Sequence, residues 1–316
     1  MNTIALINIQ IGAYKPYFPL FLKSCEYNKD VDFFFLTDQP ITSESANIHI
    51  IRTTFDEVKN RLQNLYDFPI NLQTPYDLCD YKVAYGEMLS NELEGYDFWG
   101  YCDTDMVFGQ IRNFLTDAIL ENYDKILIRG HFTLLRNIDS FNMCYRGKLP
   151  DGRERYREVF SEPGIHHFDE GLPDLHEGIN MLFKHQFGWN RVYDEYIFMD
   201  LDVYRYQFIN ADFTNDETEN QNALHSVFRW DNGTLERVSV NAQGEETGRK
   251  EYMYIHFQKR NMTCRCGETS EKYYIVPNCF LDSSTIMRKL YHANDDRIYW
   301  SYQFDRIKNK IKRLVT

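Results

Sequence analysis

Asp103 and Asp105 are the residues of this sequence best placed to do chemistry. They close the run Asp97-Phe98-Trp99-Gly100-Tyr101-Cys102-Asp103-Thr104-Asp105, whose aromatic and apolar side chains read as a buried strand, and Gly109 follows soon after. Because side chains alternate across a strand, this spacing sends both carboxylates to the same side. In an open α/β sheet ligands bind beyond the carboxyl ends of the strands, so the pair is expected to face a substrate crevice. Two hard oxygen ligands there suit Mn²⁺ or Mg²⁺, cations that keep some water and share substrate phosphates. The same spacing recurs at Asp30/Asp32, before the apolar run Val31 to Leu36, and at Asp200/Asp202, after Tyr196-Ile197-Phe198-Met199 and with no glycine following. Solvated turns are the expected reading of those two.

The elements that must position the pair alternate along the chain. Strand signals lie at Thr3 to Ile9, Val31 to Leu36 and Ile48 to Ile51, and a helix opens at Pro16 and Pro19 and runs through Cys25. Thr54-Phe55-Asp56-Glu57 has the form of a capping box, which starts a second helix through Leu62 and Leu65. Leu78 to Leu93 reads as a third, and a strand at Lys125 to Ile128 ends in Arg129-Gly130-His131. This alternation predicts an α/β fold: a doubly wound, mostly parallel sheet with helices on both faces. From Asn137 onward Pro150, Pro163 and Pro173 punctuate a polar stretch, where a loop-rich specificity surface is expected. Asp231-Asn232-Gly233 is a hairpin signal, and Tyr252 to Phe257 a further strand. The expected organisation is an α/β half over residues 1–135, an acceptor-side half completing the sheet over 136–260, and a C-terminal extension over 261–316.

Composition narrows the classes. With 316 residues, 43% of them hydrophobic, the chain can bury a full core, and its formal net charge of −12 argues against a nucleic-acid partner. No apolar run approaches the ~18 residues of a membrane span and no signal peptide is evident, so a cytoplasmic protein is expected. Seven scattered cysteines fit reduced thiols better than a disulfide framework, and the single residue between Cys264 and Cys266 disfavours zinc. The tail puts Ile307, Ile311 and Leu314 at helical spacing among Arg306, Lys308, Lys310, Lys312 and Arg313. Such a basic amphipathic helix fits either peripheral contact with the inner membrane surface or docking on its own domain.

The run Tyr96 to Asp105, with Leu78-Cys79-Asp80-Tyr81-Lys82 before it and Tyr254-Ile255-His256-Phe257-Gln258-Lys259-Arg260 after it, resembles a bacterial family of glycosyltransferases associated with capsular and other surface polysaccharides. Phe21-Leu22-Lys23-Ser24-Cys25 and Asn28-Lys29-Asp30 extend the resemblance over most of the chain. That family is similar to the wider glycosyltransferase-A fold, in which an Asp-any-Asp motif holds a divalent metal against the diphosphate of a nucleotide sugar. The resemblance implies a nucleotide-sugar donor, with UDP the first choice and GDP open, and a saccharide or lipid-linked saccharide acceptor. It implies Asp105 as a direct ligand of Mn²⁺ or Mg²⁺, Asp103 on the metal or the ribose, and His256 completing the shell. Asn8, Asp38, Asp80 and Lys82 are implied in nucleotide recognition, and Lys259 and Arg260 in pairing with phosphate. For the acceptor hydroxyl an inverting enzyme needs a carboxylate base; Asp169 and Glu170, beside His166 and His167, are the candidates and Glu177 the next.

Two other classes compete. Asp103-Thr104-Asp105-Met106-Val107 fits a haloacid-dehalogenase-like phosphohydrolase, with Asp103 as nucleophile and Asp105 as general acid. That motif usually occupies the first strand of its fold, and its later acidic metal motif has no counterpart near a strand end here. A non-catalytic carbohydrate-binding module would use the aromatic side chains as platforms, with the carboxylates structural.

Overall fold

A computed structural model describes residues 1–171, 177–202, 208, 226–241, 243 and 245–282. The chain forms two compact units built from interleaved segments. The first takes Met1–Tyr14, Lys29–Asp103 and Leu115–Glu195; the second takes Lys15–Asn28, Thr104–Phe114 and the chain from Tyr196 onward. The basic tail lies outside the described residues.

In chain order the strands of the amino-terminal part are β1 (Ile4–Gln10), β2 (Asp32–Thr37), β3 (Ile48–Arg52), β4 (Phe98–Cys102), β5 (Met106–Phe108), β6 (Lys125–Arg129), β7 (Phe132–Arg136) and β8 (Val192–Tyr193). All but β5 belong to the first unit, in one sheet of order β3-β2-β1-β4-β7-β6-β8. Neighbouring strands run parallel except where β7 meets β4 and β6. The fold is therefore α/β with a mostly parallel sheet, as the strand and helix signals imply. Parallel strands are covered on both faces and need continuous apolar runs; Ile4 to Ile7 and Phe33 to Leu36 supply them, and all are buried. The winding places β2 and β3 on one side of β1 and returns β4 to the other, so strand order reverses between β1 and β4. That reversal is the place where open α/β sheets bind ligands.

Local chemistry fixes the flanking pieces. The helix α2 (Phe55–Gln63) begins with the expected capping box: the Thr54 side chain accepts from the Glu57 backbone N–H, and the Glu57 carboxylate accepts from the Thr54 N–H at 2.7 Å. Gly100 lets β4 lie against β7, since a Cβ there would stand 2.0 Å from the Thr133 carbonyl oxygen.

One residue of this sheet opposes stability. Lys125 is fully buried; among the described residues its Nζ has no hydrogen-bond partner, and it lies over the Phe183 ring at 5.9 Å. Burial pulls its pKa down to about 8. Between that value and the ordinary ~10.4 the unfolded chain binds more proton, so folding stability rises with pH there, and below it the full penalty is felt. Lys125→Met is therefore expected to stabilise the protein by about 3 kcal/mol at pH 7. Urea unfolding should show the gain shrinking toward zero as pH approaches the unfolded-state value.

The second unit continues with β9 (Met199–Asp200), β10 (Ser226–Asp231), β11 (Thr234–Val240), β12 (Glu246–Glu251), β13 (Tyr254–His256), β14 (Thr263–Arg265), β15 (Lys272–Val276) and β16 (Cys279–Leu281). A three-stranded sheet runs β5-β13-β9, and a six-stranded one runs β12-β11-β10-β15-β16-β14. The hairpin at 231–234 forms, with Asn232 and Gly233 both at positive φ as a two-residue turn requires. The sheet around it is larger than sequence alone suggests, because the short strands after residue 262 carry weak alternation. Helix α1 (Phe18–Glu26) is tied to β5: Ser24 Oγ accepts from the Phe108 N–H at 3.0 Å, and Asn28 bridges the Gly109 carbonyl and the Ile111 N–H. Trp230, Tyr273 and Phe280 fill the core between strands, and Trp230 Nε1 donates to the Phe108 carbonyl at 2.9 Å. All seven cysteines are free thiols. No helix among the described residues is long and apolar enough to cross a membrane.

Candidate functional site

Strand β4 stops at Cys102, a bend occupies 104–105 and β5 begins at Met106. Asp103 closes a segment of the first unit, and Asp105 belongs to the segment of the second that opens at Thr104.

In the first unit Asp103 Oδ1 accepts from Lys82 Nζ at 2.7 Å. Lys82 also donates to the Gly130 carbonyl at 2.7 Å and stands 3.5 Å from Asp169 Oδ2. Burial works against its ammonium, but Asp103 and Asp169 outweigh that and hold its pKa well above the ordinary lysine range. Burial, with Glu170, Asp103 and Asp80 adding to it and Lys82 opposing, raises Asp169 to about 7. Asp169 is 4% exposed, and its carbonyl accepts from Tyr101 Oη at 2.9 Å. Glu170 is the accessible member of the pair, with a side chain 41% exposed. Its Oε2 accepts from the Gly130 N–H at 3.3 Å and its Oε1 stands 3.1 Å from His167 Nδ1. Gly130 is needed for this approach: a Cβ there would lie 2.8 Å from both Asp169 Oδ2 and Glu170 Oε2.

Asn8, near the carboxyl end of β1, donates from Nδ2 to the Cys102 carbonyl at 2.8 Å and so bridges β1 and β4 where strand order reverses. Its Oδ1 is buried and has no hydrogen-bond partner among the described residues. Asp38, just past β2, accepts from the Gly12 N–H at 2.8 Å, which holds its carboxyl below the usual range. Asp80 is the fourth residue that the resemblance implies in nucleotide recognition. It is 2% exposed, and its two oxygens accept from the backbone N–H groups of His166 and Phe168, each at 2.8 Å.

In the second unit His256 lies at the end of β13, with Met106 on one neighbouring strand and Asp200 on the other. Its Nε2 is 3.2 Å from Asp105 Oδ1, and its Nδ1 is 2.7 Å from Asp200 Oδ1. Gln258 Nε2 donates to the same Asp200 oxygen at 2.9 Å. Burial disfavours the imidazolium, yet Asp105 and Asp200 overcome it and raise His256 to about 10. With its proton displaced, the imidazole nitrogen and the carboxylate oxygen at this spacing, the far ring nitrogen fixed by a second carboxylate, fit a divalent cation. The donor set suits Mn²⁺ better than Mg²⁺, because imidazole is a softer ligand than carboxylate.

The remaining candidates sit apart from these contacts. Lys259 is exposed; Arg260 is buried and donates to the Asp202 carbonyl at 2.7 Å, so it is no free phosphate-binding cation. Glu177 pairs with Arg153 and Arg155.

Comparison with known proteins adds a family. The pattern of the family of unknown function DUF6625 matches residues 6–284. The chain belongs to that family. No curated protein matches this DUF6625 chain. Among solved structures it is similar to the galactosyltransferase LgtC in complex with donor and acceptor sugar analogs, at 14% identity over 63% of this chain and 75% of that one, TM-score 0.37. An active-site mutant of LgtC aligns at 12% identity over 92% and 96% of the two chains, TM-score 0.41. The glycosyltransferase GlyE of Streptococcus pneumoniae TIGR4 aligns at 13% identity over 62% and 45%, TM-score 0.33.

Asp200 is the residue that sequence reasoning misplaces in this DUF6625 member. The spacing with Asp202 reads as a solvated turn, whereas Asp200 is 7% exposed and bonded to His256. The available signal was the apolar run before it, which makes Asp200 the end of a strand; the pairing of β9 with β13 is long-range and leaves no local mark.

Proposed function

We propose that the protein is a divalent-cation-dependent glycosyltransferase that moves a sugar from a nucleotide-sugar donor, a UDP-sugar first, to a saccharide or lipid-linked saccharide acceptor in surface polysaccharide biosynthesis. The observation that carries this reading is the Asp105–His256–Asp200 relay: a carboxylate and an imidazole that can share a cation, with the ring orientation set from behind. When bound, Mn²⁺ or Mg²⁺ supplies Lewis acidity to the leaving diphosphate. Asp200 holds His256 Nδ1 so that Nε2 faces Asp105. In the first unit Asn8, with its unpartnered buried oxygen, and Asp38 serve the nucleoside. Lys82 fixes Asp103 and Asp169, and the exposed Lys259 serves phosphate.

For an inverting reaction Glu170 is the base, because it reaches solvent while Asp169 is buried against Lys82. Glu170→Gln is expected to lower kcat by about 10²- to 10⁴-fold with donor affinity unchanged, measured as steady-state kinetics beside UDP binding. A retaining reaction would leave kcat within a few-fold. The test of the whole reading is a panel of UDP- and GDP-sugars incubated with the protein and Mn²⁺ or EDTA. Slow, EDTA-sensitive release of nucleoside diphosphate from at least one donor is expected. No release, together with turnover of phosphate monoesters, would replace the transferase with the phosphohydrolase.

A further inference from the structure

We infer that Asp80 is a positioning residue: its buried carboxylate clamps the turn that carries Asp169 and Glu170 and does not itself meet a ligand. Both of its oxygens are used by backbone donors, Oδ2 by His166 N–H and Oδ1 by Phe168 N–H, each at 2.8 Å. A carboxylate receiving two N–H groups two residues apart makes charge-assisted bonds that fix the intervening backbone. The residue between them, His167, has φ +52°, a left-handed conformation that a histidine adopts only when its surroundings hold it there. Its side chain is 70% exposed and lends little of that hold.

The rest of the turn is pinned by contacts that depend on the same backbone path. Phe168, 1% exposed, seats its ring edge-on against Phe160, and its carbonyl accepts from the Ile179 N–H at 2.8 Å. The Asp169 carbonyl takes the Tyr101 hydroxyl, and the Gly171 carbonyl takes Asn180 Nδ2 at 2.8 Å. Between these anchors the Asp169 side chain is directed at Lys82 and the Glu170 side chain at the Gly130 N–H. Asp80 thus sets where two carboxylates point without touching either one. Asparagine cannot copy it, because its amide nitrogen would face an N–H donor and leave it unsatisfied.

The catalytic consequence rests on the proposed role of Glu170; the clamp itself does not. In Asp80→Asn, amide hydrogen exchange over 166–171 should quicken by about ten- to a hundredfold, with exchange in β1 and β4 unchanged. The kcat of Mn²⁺-dependent UDP-sugar hydrolysis should fall by roughly tenfold, while the Kd of UDP with Mn²⁺ stays within about twofold. His166→Pro removes one donor and leaves Asp80 intact, so it should repeat both effects and serves if Asp80→Asn does not fold. Unchanged exchange in the folded variant overturns the clamp, and faster exchange with kcat unaltered overturns its positioning of the catalytic carboxylate. If the wild-type protein hydrolyses no nucleotide sugar the proposed function fails, and the clamp is then judged by exchange alone.

Discussion

Asp105→Ala should abolish the rise in melting temperature that UDP and Mn²⁺ together give the wild-type protein. Ligand at about 100 times its Kd adds roughly 2.7 kcal/mol, which for a chain of this length corresponds to a rise of about 5 °C. In the second unit the hard oxygen facing His256 Nε2 comes from Asp105. Its loss leaves an imidazole backed by Asp200, a ligand of the wrong hardness to hold Mn²⁺ by itself. Donor hydrolysis should fall by about a thousandfold, since a Lewis acid at a leaving phosphate contributes several kcal/mol and each 1.36 kcal/mol is tenfold in rate. Asp200→Asn should act one step back, weakening Mn²⁺ about 10- to 100-fold without removing a ligand. The measurements are thermal shift with UDP and Mn²⁺ against an EDTA control, and initial rates of diphosphate release. A rise in Asp105→Ala equal to that of the wild type would remove the cation assignment.

That graded contrast also marks what the sequence could and could not reveal. The parallel sheet is legible because buried parallel strands need unbroken apolar runs, and Ile4 to Ile7 and Phe33 to Leu36 have them. The α2 cap is legible because Thr54 and Glu57 interact within one turn. Asp200 is not legible as a partner of His256, because they lie 56 residues apart and meet only through the pairing of β9 and β13. Asp80 and Lys82 show a subtler limit. On one continuous helix they would simply point apart, but the α-helical turn Leu78–Tyr81 passes into a 3-10 turn at Lys82–Ala84. Asp80 then meets the 166–168 backbone and Lys82 meets Asp103, a division that residue spacing does not encode.

Lys82→Met should cost about 1.4 kcal/mol more stability at pH 8 than at pH 5, the loss of one pKa unit of pairing. The pH dependence follows from Asp169, whose folded pKa of about 7 lies above the ~3.9 of an unfolded aspartate. Between those values the folded chain holds more proton than the unfolded one, so this residue's contribution is complete below pH 4 and declines as pH rises through 7. Lys82 opposes the upward shift; removing it moves the folded pKa higher still and extends the loss to more alkaline pH. At pH 5 Asp169 is neutral in both proteins, and the variant forfeits the Lys82–Asp103 contact and the hydrogen bond to the Gly130 carbonyl. The Asp103 side chain is 36% exposed, so that contact is worth at most about 1 kcal/mol. Urea denaturation at the two pH values measures the difference, and Lys82→Arg, which keeps the charge, should recover most of it. An equal loss at pH 5 and pH 8 would mean that Lys82 supports the fold through Asp103 and the Gly130 carbonyl, with Asp169 uninvolved.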